Sequence, residues 1–372
     1  MNWNAEKNTA ESPEYLQAQI ITCIGNKRAL LPFIGEGLGI VKKRLGKNKL
    51  RSLDLFSGTG IVARYLKQHS DFIIANDLET YSRVTNECYL ANASAVNAAE
   101  LRALAAGLRR AIEKNPAPGF ITELYAPRDE SRITPSDRCF YTRRNATFLD
   151  TARRQIGLLP EKWRRFFLAP LLARASVHAN TAGVFKGFYK NKQLVGQFGG
   201  HGRDALPRIL GNIEIDTPVF SRFDCDFTVT QGDANAIAGA LPEVDVAYFD
   251  PPYNQHPYGS NYFMLNLLAD YERPAEISKV SGIPTGWNRS IYNQKAKAEQ
   301  ALFALITLCK AKFVLVSHNS EGFISRDAFV SGLEKRGRIT VLETTYNTFR
   351  GSRNLRGRAI HVREFLYLLE KK

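Results

Sequence analysis

The tetrapeptide Asp250-Pro251-Pro252-Tyr253 is the densest piece of chemistry in this chain of 372 residues. It follows an apolar run, Val244 to Phe249, that reads as a β-strand. Two consecutive prolines stiffen the backbone and remove two N–H donors, so the Asp250 carboxylate and the Pro251 carbonyl are held as acceptors in fixed directions. Such a pair, followed by an aromatic, suits a planar ring bearing an exocyclic amine: the acceptors take the two amine protons and Tyr253 stacks on the ring face. The bland alternative is a Pro-Pro turn whose tyrosine packs on the core. A second constellation, Leu53-Asp54-Leu55-Phe56-Ser57-Gly58-Thr59-Gly60, is a short strand and a Gly-x-Gly turn that opens a helix. Glycines there let the backbone approach a cofactor closely, and Asp77, ending the next strand, can accept hydrogen bonds from ribose hydroxyls. Taken alone, this turn serves a dinucleotide equally well, or no ligand at all.

These groups need elements to hold them. Leu53 to Phe56, Phe72 to Ala75, Phe227 to Thr230, Val244 to Phe249 and Phe313 to Ser317 read as strands, with helical spacing over Ile61 to Gln68 and from about Glu79 to Ala93. Strands alternating with helices predict an α/β fold with a doubly wound, mostly parallel, Rossmann-like sheet whose ligands sit at the carboxyl ends of the strands. Arg338 to Phe349 and Ala359 to Leu369 are β-prone runs flanking a connection with arginines at 350, 353, 356 and 358, and predict a C-terminal antiparallel hairpin. Residues 100–227 lack the βα rhythm and are too long for a bare loop, so they are expected to form an inserted subdomain. The expected division is 1–99 and 228–372 for the two parts of one catalytic domain, with 100–227 between them.

Charge separates the same blocks. The formal net charge of +15 comes from 51 Lys and Arg against 36 Asp and Glu. Residues 1–99 carry 12 basic and 9 acidic side chains and residues 228–334 carry 8 and 11, whereas residues 100–227 carry 21 and 13 and residues 335–372 carry 10 and 3. The surplus therefore belongs to the central block and the C-terminal hairpin, and favours an anionic partner such as nucleic acid or an anionic membrane. The apolar runs fall far short of the roughly 20 residues a spanning helix needs, and Glu6, Glu11 and Glu14 stand where a signal peptide would be basic and then apolar. Five dispersed cysteines without a CxxC pair, and six scattered histidines, predict a reducing cytoplasm, no disulfide framework and no metal site.

Together, Asp-Leu-Phe-Ser-Gly-Thr-Gly and Asp-Pro-Pro-Tyr resemble the S-adenosylmethionine-dependent DNA methyltransferases that modify the N6 amine of adenine. The order of parts resembles the Dam-type, or alpha, group of restriction-modification enzymes. Gly25-Asn26-Lys27-Arg28 is similar to the N-terminal motif in which a lysine meets the methionine carboxylate, although Cys23 stands where members usually carry an aromatic. Gly232-Asp233-Ala234 is similar to the segment with an acid near the cofactor's adenine, Val314 to Gly322 to the fifth strand and its loop, and Tyr346 to Glu370 to the terminal hairpin. The resemblance implies S-adenosylmethionine as cofactor, held by Cys23, Lys27, Asp54, Phe56, Gly58, Gly60, Asp77, Asp233 and Asp250. It assigns catalysis to Asp250, Pro251, Pro252 and Tyr253.

An adenine amine inside a duplex is paired and stacked, so the base must be rotated out to be methylated. Tyr253 would stack on it, and Tyr258 and Tyr262 are candidates for the same pocket or for packing. Lys186, Lys190, Lys192, Arg203 and Arg208 are candidate contacts to double-stranded DNA in the central block, and Arg350, Arg353, Arg356 and Arg358 in the hairpin. The expectation is a cytoplasmic monomer, with a cognate endonuclease acting on the same site but not as a subunit. RNA adenine, the N4 amine of cytosine and protein glutamine stay open as substrates of a related enzyme, as does an idle DNA-binding module.

Overall fold

The computed structural model describes residues 10–200, 202–347 and 361–372. Its centre is a seven-stranded sheet: β1 (Leu50–Asp54), β2 (Ser70–Asp77), β3 (Asp226–Gln231), β4 (Val244–Phe249), β5 (Ala311–Asn319), β6 (Gly337–Asn347) and β7 (His361–Lys371). The spatial order is β3-β2-β1-β4-β5-β7-β6. Strands β1 to β5 pair in parallel, and β7 runs antiparallel between β5 and β6. The α/β reading, the five parallel strands and the antiparallel hairpin are therefore as expected.

Two details differ. β1 starts at Leu50 and ends at Asp54, because Leu50 to Asp54 is the stretch that pairs with β2, leaving Phe56 in the turn. The hairpin enters the sheet through its second strand, β7, so β6 forms the edge. The apolar β7 run Phe365 to Leu369 is fully buried against β5, whereas β6 carries the more polar face.

β4 fills the middle of the sheet, with every residue but Asp245 buried. Parallel strands covered on both faces read as continuous apolar runs of this kind. Between β1 and β4 the chain order reverses: β2 and β3 lie to one side and β5 to the other. A crevice opens at such a point beyond the carboxyl ends of the strands. Asp54 and Asp250 stand there, ending or just following β1 and β4.

The central block is helical, with Ala98–Lys114, Arg143–Gly157 and Glu161–Val177 as its long elements. Asn97 and Thr142 cap the first two by accepting from backbone N–H groups of the first turn. Glu161–Val177 is apolar nearly all round, from Phe166 and Phe167 to Leu171 and Leu172, as expected of a helix enclosed by others. These helices share one apolar cluster with the helices Thr80–Tyr89 and Phe263–Asp270 that flank the sheet. The block is thereby fixed above the crevice.

Arg64, in the helix Ile61–Leu66, is 1% exposed. Its guanidinium donates to the carbonyls of Tyr15 (3.0 Å), Ala18 (2.9 Å) and Gln19 (3.1 Å) and lies over the Tyr89 ring. It thus anchors the segment that leads into residues 23–27. Arg64→Met leaves three carbonyls without their donor and is expected to cost about 3 kcal/mol or more. The readout is the midpoint of urea unfolding at constant slope; an unmoved midpoint contradicts this role.

Candidate active site

A partly enclosed cavity of about 920 Å³, counting the open solvent at its mouth, lies in the crevice. It gathers Cys23, Lys27, Phe56, Gly58, Asp77, Asp233, Asp250 and Pro252 from the residues expected to carry the site. The remaining four, Asp54, Gly60, Pro251 and Tyr253, lie behind its wall or beside it. Backbone geometry explains the glycines. Gly58 and Gly60 have φ of +53° and +76°, and Gly25, ahead of Lys27, has +81°, a region that side chains make costly. A Cβ at Gly25 would also stand 3.3 Å from the Tyr258 hydroxyl.

Asp77 holds the turn in shape. Its Oδ2 accepts from the Gly58 N–H at 2.7 Å and its Oδ1 from the Glu79 N–H at 3.0 Å. Asp233 Oδ1 caps the short helix after β3 by accepting from Asn235 and Ala236. Phe56 meets Phe249 and Tyr292 edge on. Asp54 accepts from the Ser57 hydroxyl at 3.2 Å; burial, with Asp250 and Asp77 nearby, pushes its carboxyl up to about 8.

Lys27 is the electrostatic centre. Its ammonium is 3.2 Å from Asp250 Oδ1 and 2.9 Å from Glu364 Oε1, with the side chains of Lys27 and Glu364 only 4% and 0% exposed. Burial alone would lower the lysine, but Asp250 and Glu364 outweigh it and hold it well above its ordinary range. Asp250 is pushed up to about 6, first by burial and then by Glu364, against the opposing pull of Lys27. Ser317 donates to the same Glu364 oxygen at 2.6 Å.

A second, more open cleft, about 2550 Å³ when the solvent at its mouth is counted, adjoins the first. Cys23, Ile24, Gly25 and Asn26 line both, so this turn is the partition between them. Asp250 and Pro252 face the enclosed cavity, whereas Tyr253 faces the open cleft, whose far wall includes Ala173, Arg174 and Val177 of the central block. The Tyr253 ring packs edge on against His318 and lies 5.6 Å from the Lys27 ammonium. Tyr258 also lines the enclosed cavity and stacks with Tyr262. Tyr262 is buried and accepts from the Ile24 N–H at 2.8 Å, which is a packing and anchoring role. Burial raises the Cys23 thiol to about 12, which keeps it protonated.

Sequence reasoning passed over Glu79, Tyr292 and Glu364. Glu79, two residues beyond Asp77, lines the cavity and accepts from Asn266 and, at 3.0 Å, from Asn288; burial and Asp77 raise it to about 7. Its proximity to Asp77 was a usable signal, but nothing local marked Glu364, 337 positions from Lys27.

The candidate DNA contacts differ among themselves. Lys186, Lys192 and Arg203 are exposed, and Lys190 is half-buried over the Phe188 ring at 5.0 Å. Arg208 is a correction: its guanidinium donates to the carbonyls of Val177, Ala179 and Thr181, tying down the end of a helix instead of facing solvent. Arg350, Arg353, Arg356 and Arg358 lie outside the described residues.

A model of the D12 class N6 adenine-specific DNA methyltransferases matches residues 24–280. Among curated proteins, the Type II methyltransferase M.NlaIII of Neisseria lactamica is 31% identical over 331 residues, spanning 86% of this chain and 90% of that one. M.CviAII of Paramecium bursaria Chlorella virus 1 is 28% identical over 356 residues, with 93% and 97% covered. M.FokI of Planomicrobium okeanokoites is 24% identical over 359 residues, which are 94% of this chain and 52% of the relative.

Turnover that uses Asp250 as a free carboxylate follows its ionisation, at about 6. Below that pH the group is protonated, so kcat/KM should fall about tenfold per pH unit, and a rate flat down to about pH 4.5 contradicts the assignment.

Proposed function

We propose that this chain, which belongs to the D12 class of N6 adenine-specific DNA methyltransferases, methylates an adenine rotated out of duplex DNA and held against Asp250. It is an adenine-specific DNA methyltransferase of the type II restriction-modification kind. One observation carries the reading of the site: an Asp250 carboxylate fixed by Lys27 beside the partition between an enclosed cavity and an open cleft.

The cofactor we assign to the enclosed cavity is S-adenosylmethionine, and the donor set fits it. Acids at 77, 79, 233 and 250 suit hydroxyls, an amine and a cation, while Phe56 and Tyr292 offer apolar surface to an adenine. The cofactor supplies an electrophilic methyl carbon beside a positive sulfur. Asp77 already serves two backbone N–H groups with its two oxygens, and each oxygen retains a lone pair for ribose hydroxyls. An ammonium has three donors; Lys27 gives one to Glu364 and faces Asp250 as an ion pair at 3.2 Å, which leaves donor capacity for the methionine carboxylate.

The open cleft admits the target base, with Tyr253 as its stacking face and Asp250 and the Pro251 carbonyl as acceptors for the two N6 protons. Adenine's amine is a poor nucleophile because its lone pair is delocalised into the ring. Two fixed acceptors favour a pyramidal nitrogen with that lone pair aimed at the methyl carbon, and the Asp250 carboxylate stabilises the positive charge that develops on it. As the nitrogen–carbon bond forms, the methyl–sulfur bond would break to leave a neutral thioether, and the nitrogen gives one proton to water in the cleft. The order of motifs, with Lys27 first, then the Gly-rich turn, the basic central block and Asp250 to Tyr253, supports the Dam-type alpha arrangement. Residues 100–227 are then the target-reading part, with Lys186, Lys190 and Arg203 on the duplex, and a cytoplasmic monomer suffices for the reaction.

Asp250→Ala should reduce methyl transfer by at least about 10²- to 10³-fold while cofactor affinity survives. Sequencing of modified bases after incubation with duplex DNA reads both the target base and its context; wild-type turnover in the variant contradicts the mechanism. Replacing Arg350, Arg353, Arg356 and Arg358 together should weaken binding to all sequences alike. If all four meet phosphates, the slope of log K against log salt drops by roughly 3 to 4. A loss confined to one sequence context would show that they read bases instead.

A further inference from the structure

The proposed function uses Lys27 and Asp250 but leaves unexplained why a third charged group is sealed beside them. Glu364 is fully buried in β7, opposite Asn319 of β5. One of its oxygens, Oε1, takes both the Lys27 ammonium and the Ser317 hydroxyl, at 2.9 and 2.6 Å. The other, Oε2, has no hydrogen-bond partner among the described residues. A buried ion cluster with an unpartnered oxygen is a poor way to gain stability, since apolar groups of similar shape often do better. The arrangement makes sense as geometry: without Glu364, the flexible four-carbon stem of Lys27 has one buried carboxylate to follow, and follows Asp250 wherever it moves.

We propose that Glu364 is a positioning residue for methyl transfer, holding the Lys27 ammonium at a fixed point so that Asp250 presents its second oxygen, Oδ2, to the substrate amine. The inference rests on the proposed function of the site. Three segments distant in sequence converge to make it: the turn after Gly25, the end of β4, and β7 of the C-terminal hairpin. The residues matched by the family model, 24–280, stop short of Glu364. The trio as a whole carries a net charge of −1 when ionised, which suits a cavity that receives a cation.

The test compares Glu364→Ala and Glu364→Gln with the wild type. Glu364→Ala removes the clamp and should lower kcat by about 100-fold, with the dissociation constant for duplex DNA changed less than about threefold. Glu364→Gln keeps an oxygen that can accept from Lys27 and Ser317, so it should recover most of that loss. Its pH profile carries a second signature. The titratable groups around Asp250 and its clamp are Lys27, Glu364, Asp54, Tyr248, Tyr253, Tyr258 and Cys23, with His318 beside Lys27 and Glu364. Of these, the variant removes only the Glu364 charge, which opposes ionisation of Asp250. The acid limb of kcat/KM should therefore move down by about half a pH unit or more.

Wild-type kcat in Glu364→Ala, a loss confined to binding, or an unmoved acid limb in Glu364→Gln each overturns the proposal. If Glu364→Ala does not fold, the Glu364→Gln limb decides alone. A wild-type enzyme that leaves duplex adenine unmethylated strikes instead at the function of the site; a competent wild type with indifferent variants strikes only at Glu364.

Discussion

A buried ammonium between two carboxylates organises this molecule. Lys27 reaches Asp250 at 3.2 Å and Glu364 at 2.9 Å, with almost no solvent to screen Lys27 or Glu364 and Asp250 partly exposed. Such charges are costly to remove from water, and their mutual attraction compensates only in good geometry with further hydrogen bonds, of which Ser317 supplies one. The sheet must therefore deliver an N-terminal turn, the end of its central strand and its penultimate strand to one point. Asp250 ends up ionised near neutral pH yet poorly hydrated, a state in which a carboxylate acts strongly on a developing positive charge.

Under the proposed function, the rest of the architecture serves to bring two ligands to that carboxylate from different sides. Reversal of strand order between β1 and β4 opens the crevice, and the Gly-rich turn after β1 floors an enclosed cavity whose acids suit a cation and its hydroxyls. The turn at residues 23–26 separates that cavity from the open cleft beneath the central helices. Pro252 and Tyr253, adjacent in sequence, face opposite sides of the partition, which is what a rigid Pro-Pro segment achieves and a flexible loop does not. Arg64 and Tyr262 hold the two ends of the segment that makes it, through carbonyls at 15, 18 and 19 and the N–H of Ile24.

Much of this was legible in the sequence because it is local. Val244 to Phe249 is apolar but for Asp245, and its strand has those bounds. Asp54 to Gly60 and Asp250 to Tyr253 carry their chemistry within a few residues, so type and spacing suffice. Glu364 was illegible for the opposite reason: it sits in an apolar strand where one acid looks like an ordinary polar interruption, and its meaning depends on β7 lying next to β5. Arg208 misled because a basic residue in a basic block reads as a solvent-facing charge, whereas backbone carbonyls at a helix end had claimed it. Tyr258 and Tyr262 could not be told apart by spacing; burial and the Ile24 N–H separate them.

A crystal structure of the protein with duplex DNA and S-adenosylhomocysteine tests the central claim most directly, since it locates the amine, the acceptors and the sulfur together. We expect an extruded adenine whose N6 lies within hydrogen-bond distance of both Asp250 Oδ2 and the Pro251 carbonyl, on the Tyr253 ring, with Lys27 still bridging Asp250 and Glu364. An adenine left stacked in the duplex, or one whose amine points away from Asp250, contradicts the account.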